Sequence, residues 1–86
     1  MFDRDQFNSA DPTEVGRVSI GIADIVQRHR TPEAILGSAY FFLLLCTKHK
    51  VEPQDAFVVL KNILAHREGQ QDPALIAASM YVENDL

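Results

Sequence analysis

A run of thirteen residues, Ala34–Cys46, is apolar except at Gly37 and Ser38, and it constrains the fold more than any other part of the chain. A helix over this run would be about 20 Å long. A membrane span needs roughly 20 apolar residues to cross about 30 Å of hydrocarbon, and the segment Thr47-Lys48-His49-Lys50 closes the run early with charge. We therefore interpret the run as a core helix rather than a membrane span.

This helix carries apolar side chains almost all the way round its axis. Large residues fill positions 40–45, and Ile35 and Leu36 precede them by one turn. Such a helix must be covered on most sides, so the rest of the chain or a second copy has to surround it. A strand is the alternative, but the length of the run and its alanines and glycine argue against one.

Four prolines divide the chain into units of nearly equal length. Each follows a candidate helix N-cap, in the pairs Asp11-Pro12, Thr31-Pro32, Glu52-Pro53 and Asp72-Pro73. Proline suits the first helical position because no intrahelical donor is lost there, and Asp and Thr are good N-caps. The spacing predicts four helices over about residues 12–28, 32–48, 53–67 and 73–82.

Short connections between helices favour antiparallel neighbours. The predicted fold is all-α: a small antiparallel four-helix bundle with the apolar second helix at its centre, formed by residues 11–86 as a single helical domain. Residues 1–10 are predicted to form an N-terminal arm that either docks through Phe2 and Phe7 or is partly disordered. Gly69 is placed as a helix stop.

The first predicted helix has its apolar residues at alternating steps of three and four. They are Val15, Val18, Ile22 and Ile25, and His29 continues the same spacing. This spacing predicts a seam that faces a neighbouring helix.

Length and charge limit the classes of function. The chain has 86 residues and a formal net charge of −4, so one small domain is expected, without general electrostatic attraction to nucleic acid or an anionic membrane. Cys46 is the single cysteine, which fits a reducing compartment. The polar, acidic N-terminus does not resemble a signal peptide, so we expect a cytoplasmic protein.

Basic residues and histidines gather at the ends of the first three predicted helices. The helix macrodipole explains them simply, because cations are favoured at helix C-termini. In an up-down bundle, however, the first and third helices would end at the same pole, and their basic residues would form a patch for an anion or an acidic partner. The candidate residues for that patch are Arg28, His29, Arg30, His66 and Arg67.

No arrangement of residues points to catalysis. Metal-binding pairs of the Cys-x-x-Cys or His-Glu-x-x-His type are absent, and the glycines are too dispersed for a phosphate-binding loop. Cys46 lies in the apolar run, where a thiol is normally an inert small hydrophobe. The sequence therefore predicts no catalytic residue, no cofactor and no metal ligand, and we expect that the protein is not an enzyme.

The second helix has more apolar surface than a single buried stripe requires. Closed twofold dimers are the commonest protein assembly, so the sequence predicts a homodimer. The candidate self-association residues are Ala34, Gly37, Tyr40, Phe41 and Leu44.

The function predicted from these features is that of a non-catalytic regulatory or accessory protein that binds a protein partner, and its general form also suits a small phage-type protein. The alternative is a nucleic-acid-associated regulator that uses a basic pole made by Arg28, Arg30 and Arg67. The acidic net charge argues against nucleic acid as the partner.

Overall fold

The computed structural model describes residues 4–86, with side chains from residue 5 onward. This part of the chain is all-helical and contains no strand. Its six helices are α1 (Arg4–Asn8), α2 (Pro12–Val26), α3 (Thr31–His49), α4 (Pro53–Ala65), α5 (Arg67–Gln71) and α6 (Pro73–Asp85). The predicted all-α class is confirmed, and the four predicted helices correspond to α2, α3, α4 and α6. The predicted docking of Phe2 lies outside the described residues.

The prolines mark the helix starts. Pro12, Pro53 and Pro73 are each the first residue of a helix, whereas Pro32 is the second residue of α3. Thr31 is therefore part of α3 and not its N-cap. Arg30 takes the cap position and makes no side-chain capping bond. The reason is that the backbone of Thr31 is already helical, so only Arg30 has the extended conformation of a cap.

The C-terminal end of α3 is a Schellman motif. Lys50 has the left-handed backbone conformation, with φ 57°. The N–H of Val51 donates to the carbonyl of Cys46 at 2.8 Å, and the N–H of Lys50 donates to that of Thr47 at 3.3 Å. The motif turns the chain inward, so that Val51 and Cys46 are both buried.

The connection between α4 and α6 differs from the prediction. Helix α4 ends at Ala65, two residues earlier than expected, and the short helix α5 follows it. Gly69 is buried inside α5 and is not a helix stop. A Cβ atom at Gly69 would overlap the carbonyl oxygen of Ile63, so glycine is needed there because α5 folds directly back onto α4.

Helices α2 and α6 form the most extensive helix pair of the structure, and small residues make their contact. A Cβ atom on Gly16 would lie 2.5 Å from the carbonyl carbon of Ala74. Further along the same pair, Ala23 and Ala78 are both buried. Because small residues let two backbones approach closely, α2 buries this face rather than the seam that its larger residues predict. The seam residues Val18, Ile22 and Ile25 stay exposed.

Two hydrogen bonds show that α2 and α6 run parallel. The hydroxyl of Thr13, at the start of α2, donates to Asp72 at the start of α6 over 2.5 Å. The hydroxyl of Tyr81, near the end of α6, donates to Asp24 near the end of α2 over 2.5 Å. In the predicted antiparallel bundle these two helices would run in opposite directions. They do not, because α4 ends beside the start of α2, where Ile63 and His66 line a hollow with Asp11 and Pro12, and α6 begins after the short α5.

Helix α3 lies at the edge of the protomer. The sequence predicts this apolar helix at the centre of the bundle, and the structure corrects that position. Its main neighbour is α4, through a ring contact between Phe42 and Phe57 with centroids 5.1 Å apart. The protomer is flat, with Cα extents of 35 × 30 × 15 Å. Since α2 packs against α6, few helices remain that could cover α3.

Asp72 is the one buried charged side chain among the residues described. The hydrogen bond from the hydroxyl of Thr13 lowers the pKa of Asp72 from its ordinary value of 3.8, and the N–H groups of Leu75 and Ala74 act in the same direction, while burial opposes them. The hydrogen bond from Tyr81 to Asp24 raises the pKa of the Tyr81 hydroxyl from 10.0. The largest cause of each pKa shift is a hydrogen bond that joins α2 to α6.

The two glycines of α2 give a matched test of the α2–α6 packing. Gly16→Ala should destabilise the protein by about 1–3 kcal/mol, because the added methyl group overlaps the backbone of α6. Gly21 has open space around it, so Gly21→Ala should stabilise the protein by roughly 0.5–1 kcal/mol through helix propensity. Urea unfolding at a single protein concentration measures both. Equal effects of the two substitutions would contradict the close approach at Gly16.

The Asp72 carboxylate should make stability fall in acid. Its folded-state pKa is lowered, so its contribution is present above the ordinary carboxyl pKa and is lost as pH falls through the folded-state pKa. Asp72→Asn keeps the capping shape without the charge. Its thermal unfolding midpoint should be lower than that of wild type near neutral pH, and the difference should shrink in acid. Glu83→Gln removes an exposed carboxylate of the same helix and should leave the wild-type acid response unchanged. A constant difference between wild type and Asp72→Asn at all pH values would contradict this assignment.

Candidate protein-interaction surface

Helix α3 carries more exposed large apolar side chains than any other described helix. A folded domain normally encloses such a helix, but here seven large residues of α3 keep between 43 % and 69 % of their surface accessible. They are Ile35, Leu36, Tyr40, Phe41, Leu43, Leu44 and Leu45. The structure therefore leaves α3 exposed, although its apolar composition requires burial more than that of any other helix.

One side of α3 faces the protomer and the opposite side faces solvent. Cys46 is buried and Phe42 is half-buried against Phe57. Residues two positions away from Phe42, at Tyr40 and Leu44, point to the other side of the helix. We call the solvent-facing side the outer α3 face; it consists of Leu36, Gly37, Tyr40, Phe41, Leu43 and Leu44.

The structure brings four of the five candidate self-association residues together on this face. Tyr40, Phe41 and Leu44 are exposed, and apart from Gly37's chain neighbours and the backbone of its own helical turns, no atom lies within 4 Å of where a Cβ atom on Gly37 would be. Gly37 is thus a gap between large side chains. Ala34 is half-buried and lies on another side of α3, where it lines a cleft.

Opposite charges stand at the two ends of the outer α3 face. Glu33 is in the first turn of α3 and Lys48 in its last turn, which suits the helix macrodipole. Glu33 forms an exposed ion pair with Arg30, with 3.4 Å between the Arg30 Nε and the Glu33 Oε1. An exposed pair of this kind contributes little to stability, so the Glu33 carboxylate stays accessible to a further cation.

A cleft of about 870 Å³ separates α3 from α2 and the end of α6. Small and apolar side chains line most of it, among them Ile22 and Ala23 of α2, Ala34 and Ser38 of α3, and Val82 of α6. The cleft shows that α2 and α3 do not close on each other. The exposed apolar surface of the protomer therefore continues from α3 onto the unused seam of α2.

The residues of the predicted anion patch lie at opposite ends of α2. His29 lines the cleft at the C-terminal end of this helix. His66 lines a separate hollow together with Asp11 and Pro12, at the N-terminal end. The 15 residues of α2 span about 21 Å between the two. The expected common pole is not formed, because its argument required the antiparallel bundle. Arg28 and Arg30 stay with His29, and Arg67 with His66.

Other groups of residues give no chemical centre. Within residues 4–86, no three His, Cys, Asp or Glu side chains come together in a way that could hold a metal ion. The thiol of Cys46 is free and buried. Among the described helices, none combines the length and apolarity that a membrane crossing requires.

Comparison of the chain with protein-family models, with curated proteins and with solved structures finds no match in any of the three.

Proposed function

We propose that this chain is a non-catalytic protein–protein interaction module, with a regulatory or accessory role, and that the outer α3 face is its contact surface. One observation carries the proposal: Leu36, Tyr40 and Phe41 are each more than half exposed on one side of a single helix. Soluble monomers rarely expose contiguous apolar patches larger than a few hundred Å². Larger patches mark surfaces that another molecule covers.

The composition of the face favours a polypeptide as that molecule. Aromatic residues are enriched at the centres of protein interfaces, where charged residues are depleted. On this face Tyr40 and Phe41 are central, and Glu33 and Lys48 stand only at its ends. The acidic chain, with its net charge of −4, is poorly suited to anionic lipid surfaces. The buried free thiol of Cys46 fits a cytoplasmic, reducing location.

The nucleic-acid alternative loses its geometric basis. It needs Arg28, Arg30 and Arg67 on one surface, and the structure separates Arg67 from the other two by the length of α2. We do not propose it.

Site-specific photo-crosslinking tests the proposal. Tyr40 is replaced by benzoylphenylalanine, and the full chain is irradiated in extract of its native host. We expect a covalent adduct with a polypeptide, either a second copy or another protein, because position 40 is the centre of the contact surface. Mass spectrometry identifies the adduct. The adduct should be lost when Phe41→Glu or Leu44→Glu is combined with the crosslinker, while circular dichroism shows that the helix content is retained.

The matched control places the same crosslinker at Glu68, which is exposed on α5 beside the start of α2. It should give no corresponding adduct. Absence of any polypeptide adduct from position 40, or the same adducts from positions 40 and 68, would overturn the proposed function.

A further inference from the structure

We infer that the polypeptide covering the outer α3 face is a second copy of this chain, and that the two α3 helices pair antiparallel about a twofold axis between Tyr40 and Phe41. This inference rests on the proposed function, since it names the partner of the same face. Three properties of the described residues carry it: the amount of surplus surface, the spacing of residues along the face, and the distribution of charge at its ends.

The chain exposes more surface than a folded monomer of its mass is expected to expose. The chain exposes 6700 Å², whereas a folded monomer of 9.6 kDa is expected to expose about 5,100 Å². The excess is therefore about 1,600 Å² per protomer on that scaling. The seven exposed large residues of α3 contribute to this excess together with exposed apolar residues of α2, α4 and α6, so an α3–α3 contact would bury part of it. The flat shape, 15 Å thick in its Cα atoms, agrees with a protomer that is one layer of a larger body.

The spacing along the face is that of a paired helix. Positions 33, 37, 40, 44 and 47 follow one another at alternating steps of four and three, the repeat that keeps one seam of a helix against a partner helix. Antiparallel pairing about an axis between Tyr40 and Phe41 sets Gly37 opposite the partner's Leu44. The gap at Gly37 then receives a leucine side chain, and the same fit occurs a second time on the other side of the axis.

The charges select the direction of the pairing. In the antiparallel arrangement Glu33 lies opposite the partner's Lys48, and symmetry repeats this pair at the other end. Parallel helices would instead place Glu33 beside the partner's Glu33 and Lys48 beside the partner's Lys48, which is unfavourable. A single face that sets acid opposite base and a gap opposite a large side chain is self-complementary. An interface between identical chains requires this property, whereas a different protein partner does not.

Sedimentation equilibrium at micromolar concentration measures the predicted assembly. We expect the wild-type chain to sediment with twice the mass of 9.6 kDa. Glu33→Lys and Lys48→Glu should each raise the dimer dissociation constant roughly tenfold, because each creates two like-charge contacts per dimer. Mixing the two variants should restore the wild-type constant, since a mixed dimer has an acid opposite a base at both ends. Glu83→Lys, an exposed change of charge on α6, serves as the control and should leave the constant unchanged.

Disulfide trapping locates the axis. In a Cys46→Ser background, Tyr40→Cys should give a covalent dimer on mild oxidation, because the two copies of position 40 lie beside the axis. Glu68→Cys in the same background should stay monomeric under denaturing conditions. Two results would overturn the antiparallel arrangement. One is a dimer in which Tyr40→Cys forms no disulfide, and the other is a dimer whose dissociation constant is changed by neither Glu33→Lys nor Lys48→Glu.

The outcomes separate this inference from the proposed function. A wild-type chain that sediments as a 9.6 kDa monomer, but whose position 40 crosslinks to a different polypeptide, overturns the second-copy inference and leaves the interaction function standing. A monomer without any polypeptide adduct overturns both.

Discussion

The structure depends on the buried carboxylate of Asp72. One oxygen accepts the hydroxyl of Thr13 at the start of α2, and the other accepts the N–H of Leu75 in the first turn of α6. A single side chain thus caps one helix and holds the start of another against it. This bond sets the parallel direction of α2 and α6, and the close approach at Gly16 completes their packing.

The small residues of this pair have a consequence for the rest of the chain. The buried apolar side chains in the described part are Ala23, Cys46, Val51, Val59 and Ala78, and no large side chain there is fully buried. The pair α2–α6 obtains its contact from close backbone approach, so it offers no deep apolar surface to α3. The large side chains of α3 therefore remain on the outside, apart from the contact of Phe42 with Phe57.

Much of the helical structure could be predicted from the sequence, because helix starts and apolar runs are local features. The prolines and the two aspartate caps mark helix starts, and the apolar run shows that α3 needs cover on most sides. Helix direction could not be predicted, since it is set by contacts such as Thr13–Asp72 between residues 59 positions apart in the chain. The sequence did contain a signal for close packing of α2 and α6, which is the set of small residues Gly16, Ala23, Ala74 and Ala78. The larger seam residues of α2 indicated a different face, and the expected common basic pole depended on the same wrong helix direction.

The exposed helix also has a thermodynamic meaning for assembly. Within the protomer, α3 is held by its α4 contact and by the Schellman motif at its end, while its outer face gains nothing from folding alone. A partner on that face removes apolar surface from water and stabilises α3 at the same time, because binding to the folded state shifts the folding equilibrium. Folding and association of this chain are therefore expected to be coupled. The coupling acts on α3, whereas the hydrogen bonds and the close packing of the α2–α6 pair involve no residue of the outer α3 face.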